Sequence, residues 1–128
     1  KLLDAAAPTS ERIVNLVAER RATMLAELDS IAQRHPEISW VAPAGGIHLP
    51  IVLDDDPGGL DDEEIAIALL DRYRLAVHPG YLYGFDERTT LVVSYLAPVD
   101  AIREGMARFG AFLSSPASPR GTIRRASP

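Results

Sequence analysis

The sequence predicts an α+β fold, a small two-layer sandwich with a three- to four-stranded sheet and helices packed on one of its faces. Three observations lead there. Helical and strand periodicities follow one another in the order helix, strand, helix, strand, strand, helix. The 128 residues are the usual size of one domain, enough to bury roughly two-thirds of the surface that the unfolded chain exposes. A hydrophobic content of 47% and a charged content of 24% are those of an ordinary globular chain. No internal repeat is visible.

Residues 1–9 read as a lead-in. Thr9 or Ser10 then caps a helix predicted over 10–34, about 37 Å long at 1.5 Å per residue. Ile13, Val17, Met24, Leu28 and Ile31 recur at helical spacing and define its buried stripe. Such a helix is long for so small a domain and is expected to reach beyond its own core. Pro36 ends it by removing a donor and restricting His35. Trp40 and Val41 read as a short strand. Gly45 and Gly46 follow, then a strand over 46–53. It alternates Ile47, Leu49, Ile51 and Leu53 on one face with His48, Pro50 and Val52 on the other. Pro50 cannot donate to a ladder, so its nitrogen should face an edge or a bulge.

The loop DDDPGGL leads into a second helix. Asp61 is its N-cap, and Glu64 stands where a capping box needs it. Leu60 and Ile65 occupy the staple positions. The helix should run to about Arg74, with Ile65, Leu69, Leu70 and Tyr73 toward the core. LAVHPG reads as a short strand closed by Pro79 and Gly80, YLYGFDERT as a loop, and TLVVSYL as a strand. In that last strand Val92 and Ser94 share one face, and Leu91, Val93 and Tyr95 the other. Pro98 opens a third helix to about Ser114, with Ile102, Met106, Phe109 and Leu113 as its stripe. The tail 115–128, poor in apolar residues and rich in proline and arginine, is expected to be disordered.

Composition excludes several function classes. The absence of cysteine removes disulfides, thiolate metal sites and cysteine nucleophiles. A net charge of −5 argues against nucleic-acid binding. No apolar run is long enough to span a membrane. The first residues are too short and polar for a signal peptide, so the chain reads as cytoplasmic. A start without methionine reads as a fragment or a processed piece. Twelve arginines against one lysine fit a GC-rich bacterial genome.

Candidate chemistry is sparse. Asp54, Asp55 and Asp56 precede two glycines, but a calcium loop started at Asp54 has Gly58 where its fifth position needs a carboxylate and Ile65 where its twelfth needs glutamate; a solvated turn and helix cap account for them better. His35, His48 and His78 lack the helical spacing of a zinc site, although His48 and His78 lie on different strands and can face one pocket. A Ser94, His78 and Asp86 triad has no nucleophile elbow to present its serine. Gly45-Gly46 precedes a strand rather than a helix, which is unsuited to a phosphate cradle, and reads as a tight turn or a close backbone approach. The profile is that of one piece of a larger enzyme.

Taken in order, the motifs carry a resemblance. P-x-G-G stands before an alternating strand. DDEEIAIALLDRY, LAVHPG, YLYGF and LVVSYLAP follow, and an amphipathic helix closes the series. Over residues 10–114 this resembles the C-terminal small domain of class I/II, fold-type I pyridoxal-phosphate-dependent aminotransferases. The resemblance implies a homodimer acting on an amino donor and a 2-oxo acid. It also implies a large domain that holds pyridoxal 5'-phosphate and supplies the Schiff-base lysine. No catalytic or cofactor-binding residue is expected in this chain, and nothing around Lys1 matches that lysine. The helix 10–34 would connect the two domains. The small domain would close over substrate and shape substrate choice, inactive alone, with Gly46 and His48 near the pocket. Val92 stands where the family carries an arginine that binds the substrate carboxylate. Either another arginine replaces it, or the substrate is not a standard α-amino acid, or transaminase activity is lost. A free-standing α+β ligand-binding or dimerisation module, or the small domain of a fold-type I lyase or decarboxylase, remains the alternative.

Overall fold

The computed structural model describes residues 2–41, 46–85 and 87–114, with side chains from Ser10 onward. The expectations for the tail 115–128, for Lys1, Gly45 and Asp86 lie outside the described residues. The elements are α1 (Leu2–Arg34), β1 (Ile38–Trp40), β2 (His48–Leu53), α2 (Asp62–Tyr73), β3 (His78–Pro79), β4 (Thr90–Ser94) and α3 (Val99–Ser114). The four strands form one antiparallel sheet in the order β1-β2-β4-β3. The fold is the α+β sandwich expected.

One face of the sheet builds the core. Leu49, Ile51 and Leu53 of β2, Leu91 and Val93 of β4, and Tyr95 are at most 4% exposed. Against them pack Met24, Leu28 and Ile31 of α1, Ile65 and Leu69 of α2, and Ile102, Met106, Phe109 and Phe112 of α3, in one continuous cluster. Burial of these side chains is the main favourable contribution to the fold, about 1.5–3 kcal/mol for each large one.

α1 departs from expectation at its start. It begins at Leu2 rather than Ser10 and spans 33 residues, about 50 Å. Leu2, Leu3 and the run Ala5–Ala7 are strong helix formers, and Pro8 costs such a helix one hydrogen bond and some packing. Only the C-terminal half of α1 lies on the core. Ile13, Val14 and Leu16 are 57, 66 and 43% exposed, so an apolar stretch of the helix stands uncovered. At its other end His35 bridges Glu37, 3.3 Å from Nδ1, and Ser114, 2.9 Å from Nε2, fixing α1 to the end of α3.

α2 opens as predicted. The Asp61 carboxylate accepts from Glu64 N–H at 2.8 Å, and Glu64 accepts from Asp61 N–H at 3.0 Å. Leu60 and Ile65 are both fully buried. Leu70 is not in the core, however; it is 57% exposed, because the buried stripe runs through Ile65, Ala66, Ala68 and Leu69 and Leu70 falls beside it. Likewise Val41, expected in the first strand, is 79% exposed and lies beyond β1.

β2 is an interior strand, yet it holds Pro50. Leu53 N–H donates toward β4, to Thr89, and Ile47 accepts from Tyr95, while Asp54 N–H donates to Glu37 on the β1 side. Alternation therefore turns the Pro50 nitrogen toward β1. β1 stops at Trp40, paired with Ile51, so the missing donor faces a position that β1 does not reach. The expected edge is local.

Candidate functional site

The face of the sheet turned away from the core is the candidate site. Register places His48, Pro50 and Val52 of β2, Thr90, Val92 and Ser94 of β4, and His78 of β3 on it. Pro50 and His78 stand opposite Val92 from either side, and His48 stands opposite Ser94. Val92 is thus the centre of the face. It is 1% exposed although it lies off the core side.

The chain after β3 folds over this face. Gly80–Tyr83 form a single turn of 3-10 helix. At Gly80 an added Cβ would lie 2.7 Å from the Thr90 Cβ and 2.8 Å from the Thr90 carbonyl oxygen; a glycine is what allows the turn to press on β4. Phe85 N–H donates to the Gly80 carbonyl at 3.0 Å. Tyr81 ties the turn to α2: its N–H donates to Asp62 Oδ2 at 3.2 Å and its hydroxyl to Glu63 Oε1 at 3.0 Å. That hydrogen bond to a carboxylate, reinforced by the neighbouring acids, raises the Tyr81 phenol above its ordinary value.

Held in this way, the turn sets the Tyr83 ring between two imidazoles. Its centroid is 5.5 Å from that of His48, tilted by 48°, and 6.2 Å from that of His78, tilted by 58°. Both are within the range of productive ring contacts. The two histidines come from the strands flanking β4, so the three rings gather around Val92. At the Val52–Thr90 end of the face a cavity of about 200 Å³ is lined by Val52, Gly84, Phe85, Glu87, Arg88 and Thr90, and none of the three rings lines it. Arg88 pairs with Asp54, and the Thr89 hydroxyl donates to Asp56.

Of the residues singled out in the sequence, His48 and Val92 share this face, and His78 joins them. Gly46 does not enter the ring cluster. It launches β2 with φ +82°, and its carbonyl accepts the hydroxyl of the buried Tyr95. Ser94 lies across from His48 rather than His78 and accepts from Leu96 N–H at 3.3 Å; the Ser94, His78 and Asp86 triad is not assembled among the described residues. Sequence spacing does not single out Tyr83. The signal that could have found it is its place in an aromatic run directly after Pro79-Gly80, where the chain must turn back over the strand it has just left.

The single lysine of the chain lies outside the described residues, and the first turn of α2 carries Asp62, Glu63 and Glu64, which repel a phosphate at that helix start. Among the described residues no group of three or more His, Cys, Asp or Glu is placed to hold a metal ion. No described helix is long and apolar enough to cross a membrane.

No protein-family model matches the chain, and no curated protein matches it by sequence. Solved structures do. An aromatic aminotransferase from Pyrococcus horikoshii superposes with a TM-score of 0.72 at 20% identity, over 85% of this chain and 27% of its own. LysN, an α-aminoadipate aminotransferase from Thermus thermophilus solved with N-(5'-phosphopyridoxyl)-L-leucine, gives 0.71 at 26% identity, over 86% of this chain and 28% of its own. An aspartate aminotransferase from Thermotoga maritima gives 0.69 at 20% identity, over 82% and 25%. The chain has the fold of one part of these fold-type I enzymes and spans about a quarter of their length.

Proposed function

We propose that this chain is the C-terminal small domain of a pyridoxal-phosphate-dependent aminotransferase-like enzyme, inactive alone, which closes over the active site and shapes substrate choice. One observation carries the reading: more than four-fifths of the chain superposes on about a quarter of each of three aminotransferases. The uncovered apolar residues Ile13, Val14 and Leu16 on α1 support it, since a helix that leaves its own core with an apolar face needs a neighbour. They also favour it over a free-standing module.

Pyridoxal phosphate, held by the larger part of the protein, supplies an electron sink for the carbanion chemistry of an amine substrate. This chain's share is to bind and orient. Pro50 supplies half-buried apolar surface beside Val92, which is itself covered, and the exposed rings of His48, His78 and Tyr83 present faces and polar edges to whatever lies on this side of the sheet. Gly46 and Tyr95 fix the start of the strand that carries His48. Closing this face over substrate excludes water from the reacting centre. The complete enzyme is a homodimer that exchanges an amino group between a donor and a 2-oxo compound.

The test is the complete gene product that carries this chain. Uptake of pyridoxal phosphate and its conversion to the pyridoxamine form by amines support the reading. Carbon dioxide release or elimination products, without the pyridoxamine form, would assign the chain to a lyase or decarboxylase instead. A product of these residues alone, folded, monomeric and without cofactor, would refute both.

A further inference from the structure

We infer that the exposed surface around Tyr81, Phe85 and Glu87 docks the arginine-bearing segment that follows α3, residues 115–128 of this same chain. Tyr81 and Phe85 are large aromatic side chains left 46 and 41% exposed. With Asp61, Asp62 and Glu87 they line a cavity of about 220 Å³, which also takes in Arg88 and Thr89. Phe85, Glu87 and Arg88 line the cavity of about 200 Å³ as well, so the two form one continuous surface. Glu63 stands beside it and accepts the Tyr81 hydroxyl. Arg88 is the one basic side chain lining it, and it is paired with Asp54. Aromatic faces set among carboxylates suit a guanidinium, which stacks on the ring and forks to the acids.

The complementary charge lies on this chain. Residues 115–128 carry Arg120, Arg124 and Arg125 and no aspartate or glutamate. Contacts trace the way from the end of α3 to the surface. The Ser114 hydroxyl is 2.9 Å from His35 Nε2, and His35 Nδ1 is 3.3 Å from the Glu37 carboxylate. The Glu37 carbonyl accepts from Asp54 N–H at 2.9 Å, and Asp54 pairs with Arg88. The segment therefore leaves α3 at the same end of the sheet as the surface. Crossing from β1 past β2 to β4 takes two strand spacings, about 10 Å. The approach from His35 to Ile38 adds at most about 10 Å. Six extended residues span about 20 Å at roughly 3.3 Å each, which brings Arg120 to the surface and leaves Arg124 and Arg125 for its further carboxylates. Pro116 and Pro119 favour that extension.

The experiment uses the complete gene product with the photo-cross-linker p-benzoylphenylalanine at Ile123, and needs neither cofactor nor substrate. After irradiation, adducts mapped by mass spectrometry are expected on residues 81–89. Mixing isotope-labelled and unlabelled copies separates contact within one chain, the expected result, from contact between two. Raising the salt from about 50 to about 500 mM should lower the yield at least roughly threefold. Arg124→Glu combined with Arg125→Glu should lower it at least roughly fivefold, as should Glu87→Lys combined with Phe85→Ala; both pairs change exposed positions or positions outside the core. The second readout is amide exchange. Deleting residues 115–128 should speed exchange of Gly84 and Phe85 N–H, which donate to Tyr81 and Gly80, at least roughly threefold, and a peptide of residues 115–128 added in excess should reverse it. Adducts on any other surface, or only between copies, overturn the inference. So do a yield indifferent to salt and to both charge reversals, and amide exchange unmoved by the deletion. Loss or absence of pyridoxal phosphate bears on the proposed function and moves none of these readouts.

Discussion

Gly80 and Gly46 offer a test of two different reasons for a glycine. At Gly80 the reason is space. Its φ is not in the left-handed region, so alanine suits the backbone, but its Cβ would meet Thr90 at 2.7 and 2.8 Å and Phe85 at 3.1 Å. Two of these contacts are shorter than real Cβ atoms tolerate, and one is backbone that cannot rotate away. Overpacking of this kind costs about 1–3 kcal/mol, offset by about 0.4–1 kcal/mol from the stiffer unfolded chain. Because two contacts fall below 3 Å and one of them is backbone, the overpacking cost lies in the upper part of its range, about 2–3 kcal/mol, and the net loss for Gly80→Ala is about 1–2.6 kcal/mol. With an unfolding entropy of about 0.27 kcal/mol/K for 128 residues, Tm should fall by roughly 4–10 °C. At Gly46 the reason is conformation. Nothing lies within 4 Å of an added Cβ, but φ is +82°. Gly46→Ala should cost about 1–2 kcal/mol through the left-handed backbone alone. Asparagine separates the two mechanisms. It tolerates left-handed angles, so Gly46→Asn should recover part of the loss, whereas Gly80→Asn should be worse than Gly80→Ala. Thermal and urea unfolding of the four variants measure this. A neutral Gly80→Ala, or asparagine ranked the same way against alanine at both sites, would refute the reasoning.

Tyr95→Phe leaves the Gly46 carbonyl without the hydroxyl it accepts and should cost about 1–2 kcal/mol by denaturant unfolding; an unchanged midpoint would show that the bond contributes nothing. Asp61→Ala removes the carboxylate half of the capping box and should lower stability by about 1 kcal/mol, with early loss of amide protection at Glu64. Glu63→Ala should bring the Tyr81 phenol back down toward its ordinary value, read from tyrosinate absorbance, since its hydrogen bond to Glu63 is the main cause of the upward shift. The sign for stability follows from linkage. A tyrosine raised in the folded state stabilises fully below its unfolded value near 10, and loses that contribution as pH rises through the folded value. The wild type should therefore lose stability in alkali more steeply than Glu63→Ala.

The elements were legible because each has a local cause. The capping box of Asp61 and Glu64, the alternation through Leu49, Ile51 and Leu53, and the stripe of Ile102, Met106 and Phe109 all lie within one or two turns or strand repeats, where short-range spacing decides burial. The errors fall where a local rule met a global one. Pro8 marks a helix start by propensity, but the helix continues through it. Leu70 is apolar and helical, yet stands just outside the stripe that α2 turns inward.

By itself the sequence determined the fold class, the two faces of β2 and β4, and the position of His48 opposite the core. Periodicity of 2.0 and 3.6 is a property of the covalent chain, so those facts need no neighbour to be read. The tertiary structure alone decided which residues meet across strands. The order β1-β2-β4-β3 brings Pro50 and His78 to opposite sides of Val92, and strand order depends on how the whole core packs. It also decided that Tyr83, far from His48 along the chain, closes the ring cluster beside it. The turn carrying Tyr83 is held there by the contact of Gly80 with Thr90 and by the hydrogen bonds of Tyr81 to α2, and both depend on elements that sequence spacing does not connect.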